Sequence, residues 1–342
     1  MYVDTRYRRT EGRAGEDPFQ IYTKTKNDSV LQNQVSGNMT MRALVGPFHQ
    51  RHHFTSQSLH RLLSSSSISS EKLVGWSVNE ETKVGTITLQ APETYNALTV
   101  EMGQDFAVLC REITHDLTTG QQDVHAIVLQ GQGDDAFSAG GNFEWLKSLQ
   151  HNSVHENADI MLQFYSSFLC VRRLPVPVIA AIQGPAIGAG ACLALACDLR
   201  TAAPKRKILG FTFSSLGIHS GMGGSHLLQC ALGGPSAIIN EILLTGKVLS
   251  GDEALELGLV NRVAEDAKGA AYELASKIAD QHPVAIRTML QTIRQHQDDG
   301  LEQALQREAL AQAICYNRED WGEGVDAISE KRDPVFDSYH KK

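Results

Sequence analysis

Apolar and polar residues alternate in two short runs, Val74-Gly75-Trp76-Ser77-Val78 and Val84-Gly85-Thr86-Ile87-Thr88-Leu89, on either side of the polar stretch Asn79 to Lys83. Period-two patterning around a polar turn predicts a β-hairpin, with order beginning near Val74. Past Thr99 the period changes. Met102, Phe106, Leu109, Cys110 and Ile113 recur at spacings of three and four, which predicts a helix entered through Thr99. The apolar run Ala126 to Gly131 predicts a strand, residues 158 to 172 a helix, and Val178 to Ile182 a second strand introduced by Pro175-Val176-Pro177. Leu199 to Ala203 and Leu209 to Phe213 are β-like, and Gly221 to Ser225 opens a helix. Ser250 and Glu253 form a capping box for a helix over Asp252 to Leu257, ended by Gly258. Leu259 to Val263 is a short β-like run, and from Ala270 onward the pattern is helical, with Pro283 at a helix start. There is no internal repeat. Alternation of strand, loop and helix predicts parallel pairing with crossover helices, hence an α/β fold.

Two strand-to-helix passages are rich in glycine: Phe137-Ser138-Ala139-Gly140-Gly141-Asn142 and Gln183-Gly184-Pro185-Ala186-Ile187-Gly188-Ala189-Gly190. Such turns present main-chain N–H groups to a ligand oxygen, although many α/β loops contain glycine for turn geometry alone. The residues after the second stretch, Ala191 to Cys197, contain no acid before Asp198. The pattern predicts a cradle for a carbonyl oxygen with no acid–base partner close by in sequence.

Composition narrows the field. A chain of 342 residues that is 42% apolar can bury a large core in one domain or two. Net charge is −8, but residues 1 to 70 hold nine Lys or Arg against five acids, so the remainder is acidic and argues against a nucleic-acid surface. No apolar run reaches the roughly 20 residues of a membrane span. The six cysteines are scattered, without zinc-site or disulfide-framework spacing, which predicts free thiols in a reducing compartment and no metal site. From Ser29 to Ser70 there is no Asp or Glu, while Arg42, Arg51, Arg61 and four histidines are interspersed with serines. Residues 1–70 are therefore expected to be a transit peptide or a disordered tail. A presequence starting at Met39 or Met41 fits better than one starting at Met1, because residues 1 to 28 carry five acids. The compartment expected from this is the mitochondrion, with the plastid as alternative.

In order along residues 71 to 338, Ala91 to Leu98, Phe137 to Leu146, Pro177 to Asp198, Leu216 to Gly224, Leu244-Thr245-Gly246 and Glu330-Lys331-Arg332 resemble the motifs of the crotonase superfamily, the enoyl-CoA hydratase/isomerase family. The resemblance implies a spiral of ββα turns over 71–265, followed by a C-terminal helical trimerisation region over 266–342 and a homotrimer or hexamer as the assembly. It also implies an acyl-CoA thioester as ligand, CoA being part of the substrate, so that no separate cofactor is expected. The oxyanion donors carry over to the N–H groups of Gly141 and Ala189. Ala139, Gly141, Asn142, Phe143, Glu144 and Ala189 match the acyl-CoA site, and Lys331 matches a basic position that approaches the CoA phosphates from a neighbouring subunit. Ala91, Glu93 and Thr94 stand where relatives often carry Lys or Arg.

Hydratases of this family use two glutamates to hold water and move the α-proton, in keeping with general acid–base catalysis. Those positions align with Cys192 and Phe213. Glu144 and His219 are the substitute acid–base candidates, against readings as a solvated helix-start carboxylate and a packed loop histidine. Cys192 at a helix start is a candidate nucleophile, against its reading as a small buried apolar residue. The expected activity is hydration or isomerisation of an acyl-CoA. The alternatives are decarboxylation or thioester hydrolysis on the same cradle, or a catalytically silent acyl-CoA-binding subunit.

Overall fold

β-Branched and alanine-rich segments pair side by side because both of their faces can be covered. The computed structural model describes residues 72–336. The expected transit peptide or tail at 1–70, with its start site, lies outside the described residues. The strands are β1 (Val74–Asn79), β2 (Val84–Leu89), β3 (Ala126–Gly131), β4 (Val178–Ile182), β5 (Ala186–Ile187), β6 (Leu199–Ala202), β7 (Leu209–Gly210), β8 (Val248–Leu249) and β9 (Arg262–Val263). β1 and β2 form the predicted hairpin, in register from Val74 opposite Leu89 to Asn79 opposite Val84. Its turn is held by Asn79 Oδ1, which accepts the N–H groups of Glu81 and Thr82 at 3.1 and 3.0 Å. The remaining pairs of this six-stranded sheet, in the order β1-β2-β3-β4-β6-β9, are parallel. A smaller sheet runs β5-β7-β8.

The helices are α1 (Val100–Thr119), α2 (Phe143–Ser148), α3 (Val154–Leu169), α4 (Ala189–Ala196), α5 (Gly224–Ala231), α6 (Ala237–Thr245), α7 (Gly251–Glu256), α8 (Ala267–Ala279), α9 (Pro283–Asp298), α10 (Leu301–Tyr316) and α11 (Glu319–Glu330). From α8 onward the described elements are all helical. Parallel strands buried on both faces need apolar cover on each side. On one side Ala271, Ala275 and Ala279 of α8 pack against Val84, Val128 and Ile179, the small side chains letting the helix close on the sheet. On the other, Ile87, Leu129 and Ile182 join the main core with Phe106, Phe168 and α4.

Local capping sets the helix boundaries. Thr99 Oγ1 accepts the Met102 N–H and starts α1 as predicted. The box of Ser250 and Glu253 closes in both directions and starts α7. A second box, Ser153 with Glu156, starts α3 at Val154 rather than near 158, and the helix tightens into a 3-10 turn over Cys170–Arg173.

Buried charge fixes α9 to the sheet. Asp198 accepts the Val178 N–H at 2.7 Å and a two-armed grip from Arg294, Nε at 2.8 Å and Nη2 at 2.6 Å. Arg294 Nη1 also donates to the carbonyls of Arg172 and Leu174 at 2.8 and 2.6 Å. With the pair almost out of solvent, removing the carboxylate strands a buried guanidinium. Asp198→Ala is expected to lower the unfolding free energy by about 3 kcal/mol. In urea titrations this reads as a lower midpoint with an unchanged slope.

Candidate active site

β3 and β4 each run out of the sheet into one of the glycine-rich turns, and the two turns then pair with each other. Phe137 and Ser138 donate their N–H groups to the Pro185 carbonyl at 3.1 and 3.2 Å, and the Ile187 N–H donates to the Ser138 carbonyl at 3.0 Å. The first turn is also tied to Leu98, whose N–H donates to the Gly140 carbonyl at 2.7 Å and whose carbonyl accepts the Asn142 N–H at 3.0 Å. Gly140 has φ +93, and a Cβ there would lie 2.5 Å from the Ile187 carbonyl oxygen and 3.4 Å from the Ala189 nitrogen. Gly190 meets the same limit, since its Cβ would lie 2.5 Å from the Ser138 carbonyl. Only a chain without side chains at these points allows so close an approach.

Between the turns opens a cavity of about 50 Å³. Ala139, Gly140, Gly141, Ile187, Gly188 and Ala189 line one wall, and Phe143 and Leu146 come from α2. Met161, Phe164 and Tyr165 of α3, residues of the segment from Thr212 to Met222, and Gln312 and Tyr316 of α10 complete it. Ala189 is the first residue of α4, so its N–H has no acceptor within the helix. Neither this N–H nor that of Gly141 donates to any described residue.

Of the residues singled out in sequence, Ala139, Gly141, Phe143 and Ala189 share this lining. Asn142 caps α2 instead, its Oδ1 accepting the Trp145 N–H at 2.9 Å. Glu144 is exposed in the first turn of α2 and is not on the lining. His219 is also exposed, with Nδ1 2.6 Å from the Ser220 carbonyl oxygen, and it too lies off the lining. Lys331 is exposed at the end of α11 with φ +56. Cys192 is wholly buried in α4 and its Sγ donates to the Gly221 carbonyl at 3.3 Å. Burial, followed by the nearby Glu308 carboxylate, pushes the Cys192 thiol well above its ordinary value, so the side chain stays protonated and is not a poised nucleophile. Phe213 presents its ring to the cavity, with Gly188 beside it. Among the described residues no Asp or Glu is on the lining. Among the described residues no group of three or more His, Cys, Asp or Glu is placed to hold a metal ion.

Four polar residues around the cavity escaped the sequence reading. Tyr165 and Tyr316 donate to Gln312 Oε1 at 2.7 and 3.1 Å, and Gln312 Nε2 donates to the His219 carbonyl at 2.8 Å. Burial drives both phenols up, so they are neutral hydrogen-bonding groups and not bases. Behind Cys192, the buried Glu308 accepts the Gly223 and Ser225 N–H groups at 2.6 and 2.9 Å and the Ser225 hydroxyl at 2.6 Å, serving the start of α5. The spacing of Gln312 and Tyr316, one helical turn apart, was visible in the sequence. Their meeting with Tyr165, about 150 residues earlier, was not.

The family model for enoyl-CoA hydratase/isomerase matches residues 79–339. The chain is 31% identical over 257 residues to a short-chain-enoyl-CoA hydratase of Clostridium acetobutylicum, covering 75% of this chain and 94% of that protein. It is 29% identical over 263 residues to a crotonyl-CoA hydratase of Syntrophomonas wolfei, covering 76% and 96%. A crystal structure of an enoyl-CoA hydratase/isomerase from Mycobacterium paratuberculosis superposes with a TM-score of 0.67 at 25% identity, covering 75% of this chain and 99% of that one.

Two outcomes are expected from this geometry. Gly140→Ala should lower stability by about 2 kcal/mol or more, measured by thermal or urea unfolding, because the new methyl group meets the Ile187 carbonyl at a positive φ. In the native protein near neutral pH, Cys192 should resist iodoacetamide when peptides are mapped by mass spectrometry. In denaturant it should react like the other thiols.

Proposed function

The chain belongs to the enoyl-CoA hydratase/isomerase family, the crotonase superfamily that its motifs resemble, and on that footing we propose that its cavity binds an acyl-CoA with the thioester oxygen accepting the N–H groups of Gly141 and Ala189. The observation that carries the reading is the pair of main-chain N–H groups, both without internal acceptors, on one wall of an apolar cavity. As negative charge moves onto the thioester oxygen to form the enolate, two fixed donors stabilise it without a titratable group and with little reorganisation. Apolar walls from Phe143, Leu146 and Phe164 would take the acyl group and exclude water, which strengthens those hydrogen bonds. Lys331 is assigned to the CoA phosphates across a subunit boundary, in a homotrimer or hexamer, and the compartment to the mitochondrion, with the plastid as alternative.

The leading reaction type is hydration or isomerisation of an enoyl-CoA, with Glu144 and His219 as the candidate proton carriers, which from their exposed positions off the lining would have to act through water or a side-chain movement. A second reading is favoured by the absence of Asp and Glu from the lining. Loss of CO₂ from a 2-carboxyacyl thioester breaks a carbon–carbon bond whose electron pair becomes the enolate, so no base is needed to remove a proton, and the enolate α-carbon then takes up a proton from water to give the acyl-CoA. Purified protein is to be incubated with crotonyl-CoA, following the enoyl absorbance and product mass, and separately with a 2-carboxyacyl-CoA, following CO₂ release. Turnover of the first supports the leading assignment and turnover of the second alone supports decarboxylation. Tight binding without either identifies a silent acyl-CoA-binding subunit. Unchanged rates in both Glu144→Gln and His219→Ala would remove those two residues as proton carriers.

The amide itself can be deleted. Proline is tolerated at the first position of a helix, so Ala189→Pro removes one donor at little cost to α4. Whichever acyl-CoA is turned over, its kcat/KM should fall about 10²- to 10³-fold while the protein stays folded.

A further inference from the structure

Apart from the Gly141 and Ala189 amides and Thr212, the polar part of the cavity lining lies where α3 meets α10. There Tyr165, Gln312 and Tyr316 form a closed set, all three almost wholly buried. Burying two phenols and a carboxamide in an apolar wall is costly unless each polar atom is paired, and Leu or Phe would fill the same space without that demand. The direction of the hydrogen bonds is informative. Both phenol hydrogens point inward, Tyr165 to Gln312 Oε1 at 2.7 Å and Tyr316 to the same oxygen at 3.1 Å, with Met161 Sδ at 3.8 Å as the other acceptor near Tyr316. Gln312 is held in this orientation because its Nε2 donates to the His219 carbonyl at 2.8 Å. The Tyr165 oxygen also faces the Met222 N–H. No described residue donates to the Tyr316 oxygen, whose lone pairs are left over.

We propose that Tyr316, held by Gln312, accepts a hydrogen bond from a hydroxyl on the acyl group beyond the β-carbon, so that this site prefers a short ω-hydroxyacyl-CoA to an unsubstituted acyl-CoA of the same length. The inference rests on the acyl-CoA reading of the cavity. The cavity is small, and the unfilled acceptor at Tyr316 stays unpaired when a hydrocarbon occupies the space beside it. Tyr316 is a specificity residue in this account, and Gln312 positions it.

The test is calorimetric titration of the purified full chain with 4-hydroxybutyryl-CoA and butyryl-CoA, in the wild type and in Tyr316→Phe, with thermal unfolding of each protein as control. The wild type is expected to bind the hydroxy ester at least about tenfold more tightly. In Tyr316→Phe the ratio of the two affinities should collapse to about threefold or less, a change that a merely structural role for the phenol would not produce. Equal wild-type affinities overturn the inference whatever the variant does, and so does a preference that survives in folded Tyr316→Phe. Tight butyryl-CoA binding without preference leaves the acyl-CoA reading standing, whereas no binding of either ester removes both.

Discussion

Everything at the site depends on how closely two backbone segments can approach. The turn after β3 and the turn after β4 lie side by side because Gly140 offers no Cβ to the Ile187 carbonyl and Gly190 none to the Ser138 carbonyl. Four main-chain partners, Phe137 and Ser138 with Pro185, and Ser138 with Ile187, then lock the approach. The free N–H of Gly141 and the orphan N–H at the start of α4 become neighbours on one cavity wall as a consequence. A donor pair made from backbone in this way cannot be lost by ionisation, and its geometry is as stiff as the parallel sheet that delivers it.

That stiffness is maintained from behind by buried charges. The grip of Arg294 on Asp198, with its donations to the carbonyls of Arg172 and Leu174, ties α9 to the approach of β4. Arg200 does similar work on the next strand, donating to the carbonyls of Leu259 and Cys197 at 2.6 and 2.7 Å. Glu308 serves the start of α5 on the far side of Cys192. These charged groups meet backbone polar atoms that have no strand or helix partner, which is why they can be buried at all. Cys192 and Phe213, by contrast, bring only a thiol and a ring to this region, Cys192 wholly buried in α4 and Phe213 on the cavity lining.

Much of the fold was legible in the sequence, for reasons of local physics. The hairpin of β1 and β2, the helix entered at Thr99, the box of Ser250 and Glu253 and the proline opening α9 all follow from contacts within a few residues. The start of α3 was misplaced by four residues because Ser153 and Glu156 precede the apolar repeat that announced the helix. The glycine turns were visible as composition, and their mutual approach was carried by the family resemblance. Side chains that meet over long separations could not be read this way. Tyr165 and Gln312 are 147 positions apart and Asp198 and Arg294 are 96 apart, and no periodicity links either pair. Glu144 and His219 illustrate the converse, since nearness in sequence to the cradle put neither side chain on its lining.

In the proposed complex two amides share one carbonyl oxygen, and vibrational spectroscopy sees that bond itself. Isotope-edited infrared difference spectra of an acyl-CoA carrying ¹³C at the thioester carbonyl should show that stretch moving to lower frequency when the ester binds, as two N–H groups draw charge onto the oxygen. In Ala189→Pro part of that displacement should be lost. A bound ester whose thioester stretch stays at its solution frequency in the wild type would contradict the account.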